Sequence, residues 1–153
     1  TGAFDSFHFP DGMLSAALLE NFGADLNGSG GQHPSPSVEL ADNVKTVVNG
    51  AFESSSPFAP ESYDAAALIM LAMQAAGSKD PNVYKAHMMD VANAPGEKIN
   101  AGELAKGLEI LANGGDIDFV GATGVELVGP GEAAGNYREV VYEGGKEITA
   151  GYR

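Results

Sequence analysis

A stretch of nine residues without a charged or polar side chain constrains the fold of this chain more than any other feature. It runs from Ala65 to Met73 and contains only alanine, leucine, isoleucine and methionine. A helix rises about 1.5 Å per residue, so this stretch is too short to cross a bilayer unaided. We therefore expect a buried helix from about Ser62 to Ala76, closed by Gly77 as a C-cap, with Met70 inside the core.

Hydrophobic periodicity predicts further helices in the middle of the chain and short strands near both ends. Between them we expect a loop or a crossing between lobes at residues 27–37, and an ordered loop at residues 54–60. The other predicted helices are 13–22, 38–48, 82–91 and 102–112, and the predicted strands are 4–9, 117–120, 125–128 and 137–142. Helices between terminal groups of strands predict an α/β chain.

Composition excludes several classes of partner and chemistry. The chain has 153 residues, of which 44% are hydrophobic, enough for one packed core. Its 8 Lys and Arg against 21 Asp and Glu give a net charge of −13, which repels phosphate backbones and anionic lipid headgroups. We therefore expect neither nucleic acid nor a membrane surface as a partner. Because cysteine is absent, disulfides, thiolate metal sites and a cysteine nucleophile are excluded.

Patterns for metal binding are weak. The histidines His8, His33 and His87 include no i, i+4 pair that would place two imidazoles on one helix face. Residues 25–30 supply oxygen atoms at positions 1, 3 and 5 of a calcium loop, with glycine at position 6, but Pro36 occupies position 12 in place of the bidentate glutamate. We therefore predict neither a metal nor another cofactor.

The sequence contains no arrangement typical of an enzyme. Ser29 lies in Asn-Gly-Ser-Gly-Gly, which lacks the first glycine of a nucleophile elbow. The glycines between residues 121 and 131 have neither dinucleotide-binding nor P-loop spacing. Since no nucleophile, base and orienting group fall at motif spacing, we expect a protein without catalytic activity.

Asp11 is the candidate binding residue that its position in the chain singles out. It lies in the turn Pro10-Asp11-Gly12, between the carboxyl end of a predicted strand and the start of a predicted helix. Ligands bind α/β sheets at such turns, and a carboxylate there could hold an ammonium group. Asp11 could equally well act only as the N-cap of a helix starting at Gly12 or Met13, and the residues alone favour neither role.

Three motifs follow one another along the chain. They are Phe9-Pro10-Asp11-Gly12-Met13, Glu61-Ser62-Tyr63-Asp64-Ala65-Ala66, and the run from Asp116 to Glu126 that contains Asp-Phe-Val-Gly-Ala-Thr-Gly. In order and spacing they resemble the C-terminal part of the periplasmic branched-chain amino-acid binding proteins, the substrate-binding subunits of leucine/isoleucine/valine-type ABC transporters. The resemblance spans nearly the whole chain, and the Tyr-Asp-Ala-Ala helix is its most specific piece.

This resemblance implies the α/β fold of a type I periplasmic binding protein, whose two lobes are joined by hinge crossings and close around an amino acid. It implies that residues 1–30 are the C-terminal part of lobe two and residues 34–120 the C-terminal part of lobe one. Residues 121–153 would form the third crossing and the return to lobe two. The N-terminal half, whose Ser/Thr-bearing turns hold the ligand's carboxylate in this family, would be missing.

The resemblance also implies two ligand-binding residues. Asp11 matches the family's acidic residue that pairs with the α-ammonium group of the ligand. Tyr63 falls at the start of the helix that returns to lobe one, close to the cleft in relatives. Asp64 is expected to cap this helix or to make hinge contacts. The turn at residues 129–132 departs from the Asp/Asn-rich turn of relatives, so the resemblance does not fix the third crossing.

The function implied is that of a periplasmic solute-binding protein, or a fragment of one, that captures an amino acid or similar small polar ligand and presents it to an ABC permease. The alternative is a self-associating structural or filament-forming protein derived from the same fold. It follows from incompleteness, because half of a binding protein exposes apolar faces that the missing half would cover. Solution mass and amino-acid binding distinguish the two functions.

Overall fold

The computed structural model describes residues 2–50 and 58–153, which form two compact units. Unit 1 comprises Thr1–Ser35 and Asn136–Arg153, and unit 2 comprises Pro36–Gly135. The helices of the described residues are α1 (Ala16–Phe22), α2 (Val38–Val48), α3 (Ala59–Ala76), α4 (Pro81–Tyr84), α5 (Met88–Ala92) and α6 (Leu104–Ala112), with 3-10 turns at Asp11–Met13, Gly23–Leu26 and Lys85–His87. The strands are β1 (His8–Phe9), β2 (Gly30–Pro34), β3 (Glu97–Asn100), β4 (Ile117–Gly121), β5 (Glu126–Gly129), β6 (Glu132–Ala134), β7 (Tyr137–Glu143) and β8 (Lys146–Tyr152).

Unit 1 is built on a four-stranded sheet in the order β1-β2-β7-β8. β1 is parallel to β2, whereas β2 and β7, and then β7 and β8, pair antiparallel. The hydroxyl of Ser15 caps α1 by accepting the backbone N–H of Leu18 at 3.2 Å. The core of the unit consists of the buried side chains of Phe9, Leu14, Leu26, Val140 and Tyr142.

The loop predicted at residues 27–37 is wrong in its central part, where β2 forms. This segment has too few apolar side chains to show a strand period, and its pairing depends on glycine. A Cβ atom at Gly31 would collide with the backbone carbonyl of Phe9 on β1, and one at Gly30 with that of Val140 on β7. The two glycines therefore allow the three strands to approach one another.

Unit 2 packs helices α3, α5 and α6 against a parallel pair of strands, β3 and β4. β5 and β6 add an antiparallel hairpin. The buried side chains that form the core come from the helices and the strands: Ala67, Leu68, Leu71, Ala72, Val91, Ala92, Ile99, Ile117, Phe119 and Leu127. Among the described helices, none combines the length and the apolar character that a bilayer crossing needs.

Helices α2 and α3 confirm two of the predicted helices. α2 begins after Ser37, whose hydroxyl accepts the N–H of Leu40 at 3.4 Å, and ends at Asn49 in the left-handed conformation. Gly77 ends α3 with a φ of +60°, which is the conformation of the predicted C-cap. The helix predicted at residues 82–91 is instead divided into α4, a 3-10 turn and α5.

The strands predicted towards the C-terminus are confirmed as β4, β5 and β7, but β3, β8 and the fully exposed β6 are additional. Only Ile99 is buried in β3, and most of β8 is exposed. Neither strand therefore shows the alternation of apolar and polar side chains that predicts a half-buried strand. Of the ordered loop predicted at residues 54–60, residues 54–57 lie outside the described residues.

The prediction that Met70 lies inside the core of a buried helix is wrong. Leu71 is 0% exposed, whereas Met70 is 42% and Ile69 37% exposed. The helix packs one face against the core of unit 2, and a helix packed in this way buries one stripe of its surface only. The absence of charge between Ala65 and Met73 therefore does not distinguish the buried face from the exposed one.

Leu71→Asp should unfold unit 2, because an unpaired carboxylate in the core costs several kcal/mol, comparable to the whole stability of a domain. Met70→Asp is the matched control on the exposed face and should change the melting temperature by no more than about 3 °C. Thermal unfolding followed by far-UV circular dichroism measures both. Equal loss of structure in the two variants would contradict the assigned faces of α3.

Candidate functional site

The candidate site of unit 2 lies at the carboxyl ends of β3 and β4. The strands are parallel, so the loops that follow them, at residues 101–103 and 122–125, leave the pair at the same edge. Open α/β sheets bind ligands at this edge. Two adjacent residues in the first turns of α3, Tyr63 and Asp64, each hydrogen-bond to one of the loops.

Tyr63 holds the loop after β3. Its phenolic oxygen accepts the backbone N–H of Gly102 at 2.8 Å. A tyrosine hydroxyl can donate as well as accept, and no second hydrogen bond to this hydroxyl is formed within residues 2–50 and 58–153. The O–H of Tyr63 therefore remains free to donate to a ligand.

Asp64 holds the loop after β4 with both carboxylate oxygens. Oδ1 accepts the N–H of Ala122 at 2.7 Å, and Oδ2 accepts the N–H and the hydroxyl of Thr123 at 2.8 and 2.7 Å. The residue is only 2% exposed. Hydrogen bonds to an ionised carboxylate are roughly twice as strong as those between neutral groups. One side chain on α3 therefore fixes the first two residues of the loop.

Burial and hydrogen bonding act in opposite directions on this carboxyl group. Burial raises the pKa of Asp64 above its ordinary value of 3.8, and the hydrogen bonds from Ala122 and Thr123 oppose that rise. Gly121, the last residue of β4, has a φ of +62°, and a Cβ atom there would collide with the carboxylate of Asp64. Glycine is therefore required at this position for the backbone conformation and for the approach of Asp64.

A second carboxylate shapes the end of β3. Oε2 of Glu103 accepts the backbone N–H of Asn100 at 2.8 Å and its side-chain N–H at 3.0 Å, and these bonds lower the pKa of Glu103. Lys106 Nζ lies 2.8 Å from Oε1 of Glu97 and 3.8 Å from Oε1 of Glu103. Because solvent screens these exposed groups, they orient the loop more than they stabilise the unit.

In unit 1, Asp11 follows β1 and begins the 3-10 turn Asp11–Met13. It is exposed, and its Oδ1 accepts the backbone N–H of Gly12 at 2.6 Å. Ser15, rather than Asp11, caps the helix α1 that follows. The carboxylate of Asp11 therefore lies in solvent at the carboxyl end of a parallel strand, where a cationic group can reach it.

The two residues singled out from the sequence lie in different units, Asp11 in unit 1 and Tyr63 in unit 2. Asp64 does not cap α3, whose N-cap residue is Phe58. Sequence reasoning missed Gly102 and Thr123 as partners of α3, because they lie 39 and 59 residues from the side chains they contact. The available signal for Thr123 was the run Gly-Ala-Thr-Gly, which follows the predicted strand at residues 117–120.

The remaining candidate side chains have structural contacts. Ser29 is buried, and its hydroxyl accepts the backbone N–H of Phe7 at 3.0 Å. In the part of the chain that the structure describes, no group of three or more His, Cys, Asp or Glu could hold a metal ion. The phenol of Tyr63 at one edge and the exposed carboxylate of Asp11 at the other are groups that can bind by hydrogen bonding and ion pairing.

Comparison with known proteins relates this chain to solute-binding proteins. It is 29% identical over 68 residues to BasB, the substrate-binding protein of a chemotactic signal transduction system in Halobacterium salinarum, and the match covers 44% of this chain and 16% of BasB. The solved structure of LivK, a leucine-binding protein of Thermotoga maritima, is similar with a TM-score of 0.63 and 16% identity. That match covers 96% of this chain and 37% of LivK. No protein-family model matches.

The likeness to LivK confirms the α/β fold of the type I periplasmic binding proteins that the sequence predicted. The matches span well under half the length of either relative, 37% of LivK and 16% of BasB. At 16% identity the structural likeness shows the fold alone.

Asp64→Asn should destabilise unit 2 by about 1–3 kcal/mol near neutral pH, because the amide would set an NH₂ donor against the donors of Thr123 or Ala122. Thr123→Val is the matched control, which removes one donor only and should cost about 1 kcal/mol. Urea unfolding followed by circular dichroism measures both differences. A smaller effect of Asp64→Asn than of Thr123→Val would contradict the role of the carboxylate.

The pH dependence of the Asp64→Asn effect has a defined sign. Because the folded state raises the pKa of Asp64, the folded chain binds this proton more tightly than the unfolded chain. The contribution of Asp64 to stability is therefore largest below its ordinary pKa of 3.8 and falls as the pH rises through the raised value. The difference in unfolding free energy between the native chain and Asp64→Asn should therefore become smaller as the pH rises from 3.8 through the raised pKa of Asp64. A difference that grows with pH would contradict a raised pKa.

Proposed function

We propose that this chain is part of a solute-binding protein that captures an amino acid or a similar small polar ligand, without catalysis, for an ABC importer. The observation that carries the proposal is the edge site of unit 2, where Tyr63 and Asp64 hold two loops in a fold shared with a leucine-binding protein. The descriptions of LivK as leucine-binding and of BasB as substrate-binding support the same class of function.

Asp11 is the proposed partner for the ammonium group of the ligand. Its carboxylate is exposed and, within residues 2–50 and 58–153, is bonded only in its own turn by the hydrogen bond from Gly12. An ammonium group enclosed in a cleft is very costly unless a carboxylate pairs with it. In an open, hydrated site the same ion pair is worth about 0–1 kcal/mol, so tight binding needs further contacts.

Tyr63 is the proposed hydrogen-bond donor of unit 2. The N–H of Gly102 occupies one lone pair of the phenolic oxygen and orients the hydroxyl, whose proton is left to donate. A donor of this kind suits an oxygen acceptor on the ligand. Asp64 would contribute indirectly, because it fixes the loop beside this donor through Ala122 and Thr123.

The proposal also assigns the two units to lobes. Unit 1 corresponds to the C-terminal part of lobe two and unit 2 to that of lobe one, with crossings beside Ser35 and Asn136. An N-terminal half of the same protein would hold the carboxylate of the ligand. An ABC permease would receive the ligand from the binding protein. These partners imply a location outside the cytoplasmic membrane, in a periplasm or its equivalent.

A second candidate function, self-association into a structural assembly, is favoured by one observation. The exposed face of α3 carries the apolar side chains of Ile69 and Met70. An exposed apolar stripe of this kind can pair with a copy of itself. We rank it below ligand binding because it does not account for the hydrogen bonds that hold the two loops at the edge site.

The isolated chain should bind amino acids only weakly, with a dissociation constant above about 1 mM, because it offers few contacts to a ligand. Leucine, isoleucine, valine and glutamate are titrated while backbone N–H signals are followed by NMR. The signals of Gly12, Gly102 and Thr123 should shift. Asp11→Ala should abolish the shift at Gly12, whereas Asp25→Ala, an exposed carboxylate in another turn of unit 1, should not.

Two results of this titration would contradict the proposal in different ways. Micromolar binding would show that the chain carries a complete site and needs no further half. The absence of any shift at Gly12, Gly102 and Thr123 with all four amino acids would contradict amino-acid binding at these edges.

Sedimentation equilibrium should give a monomer near 15.7 kDa, with or without amino acids. A larger assembly that persists with every ligand present would favour the structural alternative. In that case Met70→Lys should dissociate the assembly, because a charge on the exposed face of α3 disrupts an apolar contact. Val83→Lys is the matched control, since Val83 is equally exposed but lies on α4.

A further inference from the structure

His33 is buried in the sheet of unit 1, and its two ring nitrogens have different partners. The residue is 2% exposed. Nδ1 lies 2.8 Å from the carbonyl oxygen of Pro34. Nε2 lies 3.0 Å from Nε and 2.8 Å from a terminal nitrogen of Arg138. Because a carbonyl oxygen only accepts and a guanidinium group only donates, the ring carries its proton on Nδ1 and presents a lone pair to Arg138.

This arrangement requires a neutral imidazole. A proton on Nε2 would remove the acceptor and place a second cation against the guanidinium group in a buried position. Arg138 also donates to Oε1 of Glu147 at 2.8 Å, so one carboxylate already balances its charge. The three side chains come from β2, β7 and β8 and connect these strands through one chain of hydrogen bonds.

In the part of the chain that the structure describes, the other ionisable groups around β2 do not bond to the ring of His33. The elements packed against β2 are β1, the turn Asp11–Met13 and β7, and β8 lies beyond β7. Apart from Arg138 and Glu147, the ionisable side chains of these elements are His8, Asp11, Tyr137, Glu139, Tyr142, Glu143, Lys146 and Tyr152. Glu139 instead accepts from Arg153 at 2.9 Å, and the hydroxyl of Tyr142 faces Glu147 at 3.5 Å. Within the described residues, the charged partner of His33 is therefore Arg138.

The network lies where the chain leaves unit 1 and returns to it. β2 ends beside Ser35, the last residue of the first segment, and β7 begins after Asn136, the first residue of the second. The N–H of Ser35 donates to the carbonyl oxygen of Asn136 at 3.0 Å. His33 and Arg138 are direct cross-strand partners. The side-chain network is therefore two residues away from the backbone hydrogen bond that joins the two crossing segments.

We propose that His33, Arg138 and Glu147 form an acid-sensitive clamp on the two crossing segments. Neutral His33 holds the segments together, and its protonation releases Arg138 and loosens the pairing of Ser35 with Asn136. Histidine is the side chain that most commonly acts as a proton-dependent switch in proteins. The inference rests on the proposed function only in treating the crossings as a hinge between lobes.

The tautomer of His33 is the first test and needs no variant. Heteronuclear NMR of the isotope-labelled 153-residue chain at about pH 7.5 should show a neutral His33 ring with its proton on Nδ1. A proton on Nε2 at that pH would overturn the clamp, since Arg138 could not then donate to the ring.

Hydrogen exchange of the Ser35 amide is the second test. Its protection factor, corrected for the intrinsic effect of pH, should fall about tenfold between about pH 7.5 and 5, as expected for the loss of a hydrogen bond to a charged group. In His33→Gln the amide oxygen replaces Nε2 as acceptor without taking up a proton, so this fall should disappear. His87→Gln, a half-buried histidine of unit 2, is the matched control and should keep it.

Two outcomes of the exchange experiment would overturn the proposal: no fall in the native chain, or the same fall in His33→Gln. If His33→Gln does not fold, the tautomer of His33 and the exchange of the Ser35 amide in the native chain still test the clamp. No amino acid is added in either test, so failure of the clamp is distinguishable from failure of ligand binding.

Discussion

A carboxylate removed from water needs hydrogen-bond donors, and in unit 2 this requirement joins the main core helix to the candidate site. Asp64 meets it with three donors from Ala122 and Thr123. The same helix buries Leu71 against the core and offers Tyr63 to Gly102. A shift of α3 would break all four hydrogen bonds together. The packing of the core therefore contributes to the position of the loops at the edge.

The parts of the fold that local sequence determines were predictable. Helices α2 and α3 end in the left-handed conformation at Asn49 and Gly77, and β4 forms at the apolar run that predicted it. The strand β2 was not predictable in this way. Its pairing depends on Gly30 and Gly31, which have no side chain and so let the neighbouring strands on both sides approach closely. The exposed face of α3 was missed because alanine and methionine have the same character on either face of a helix.

For the candidate site, the sequence supplied candidate residues but not the partners of their side chains. Asp11 was singled out by its position after a predicted strand, and Tyr63 by the resemblance to the binding-protein family. The partners of Tyr63 and Asp64, by contrast, depend on contacts across 39 to 59 residues of sequence, which no local pattern encodes. The role of His33 has the same origin, since a histidine in a glycine-rich segment gives no indication of an arginine 105 residues away.

Unit 2 is continuous in sequence, whereas unit 1 consists of two segments, the second of which, Asn136–Arg153, supplies β7 and β8. A chain made from its N-terminus therefore exposes β2 long before β7 exists to pair with it. Closing so long a loop is entropically unfavourable and slow. Once unit 2 has folded, its own ends lie beside Ser35 and Asn136, which are one hydrogen bond apart. A folded unit 2 would shorten the loop that has to close between β2 and β7, so we expect unit 2 to fold before the outer strands pair.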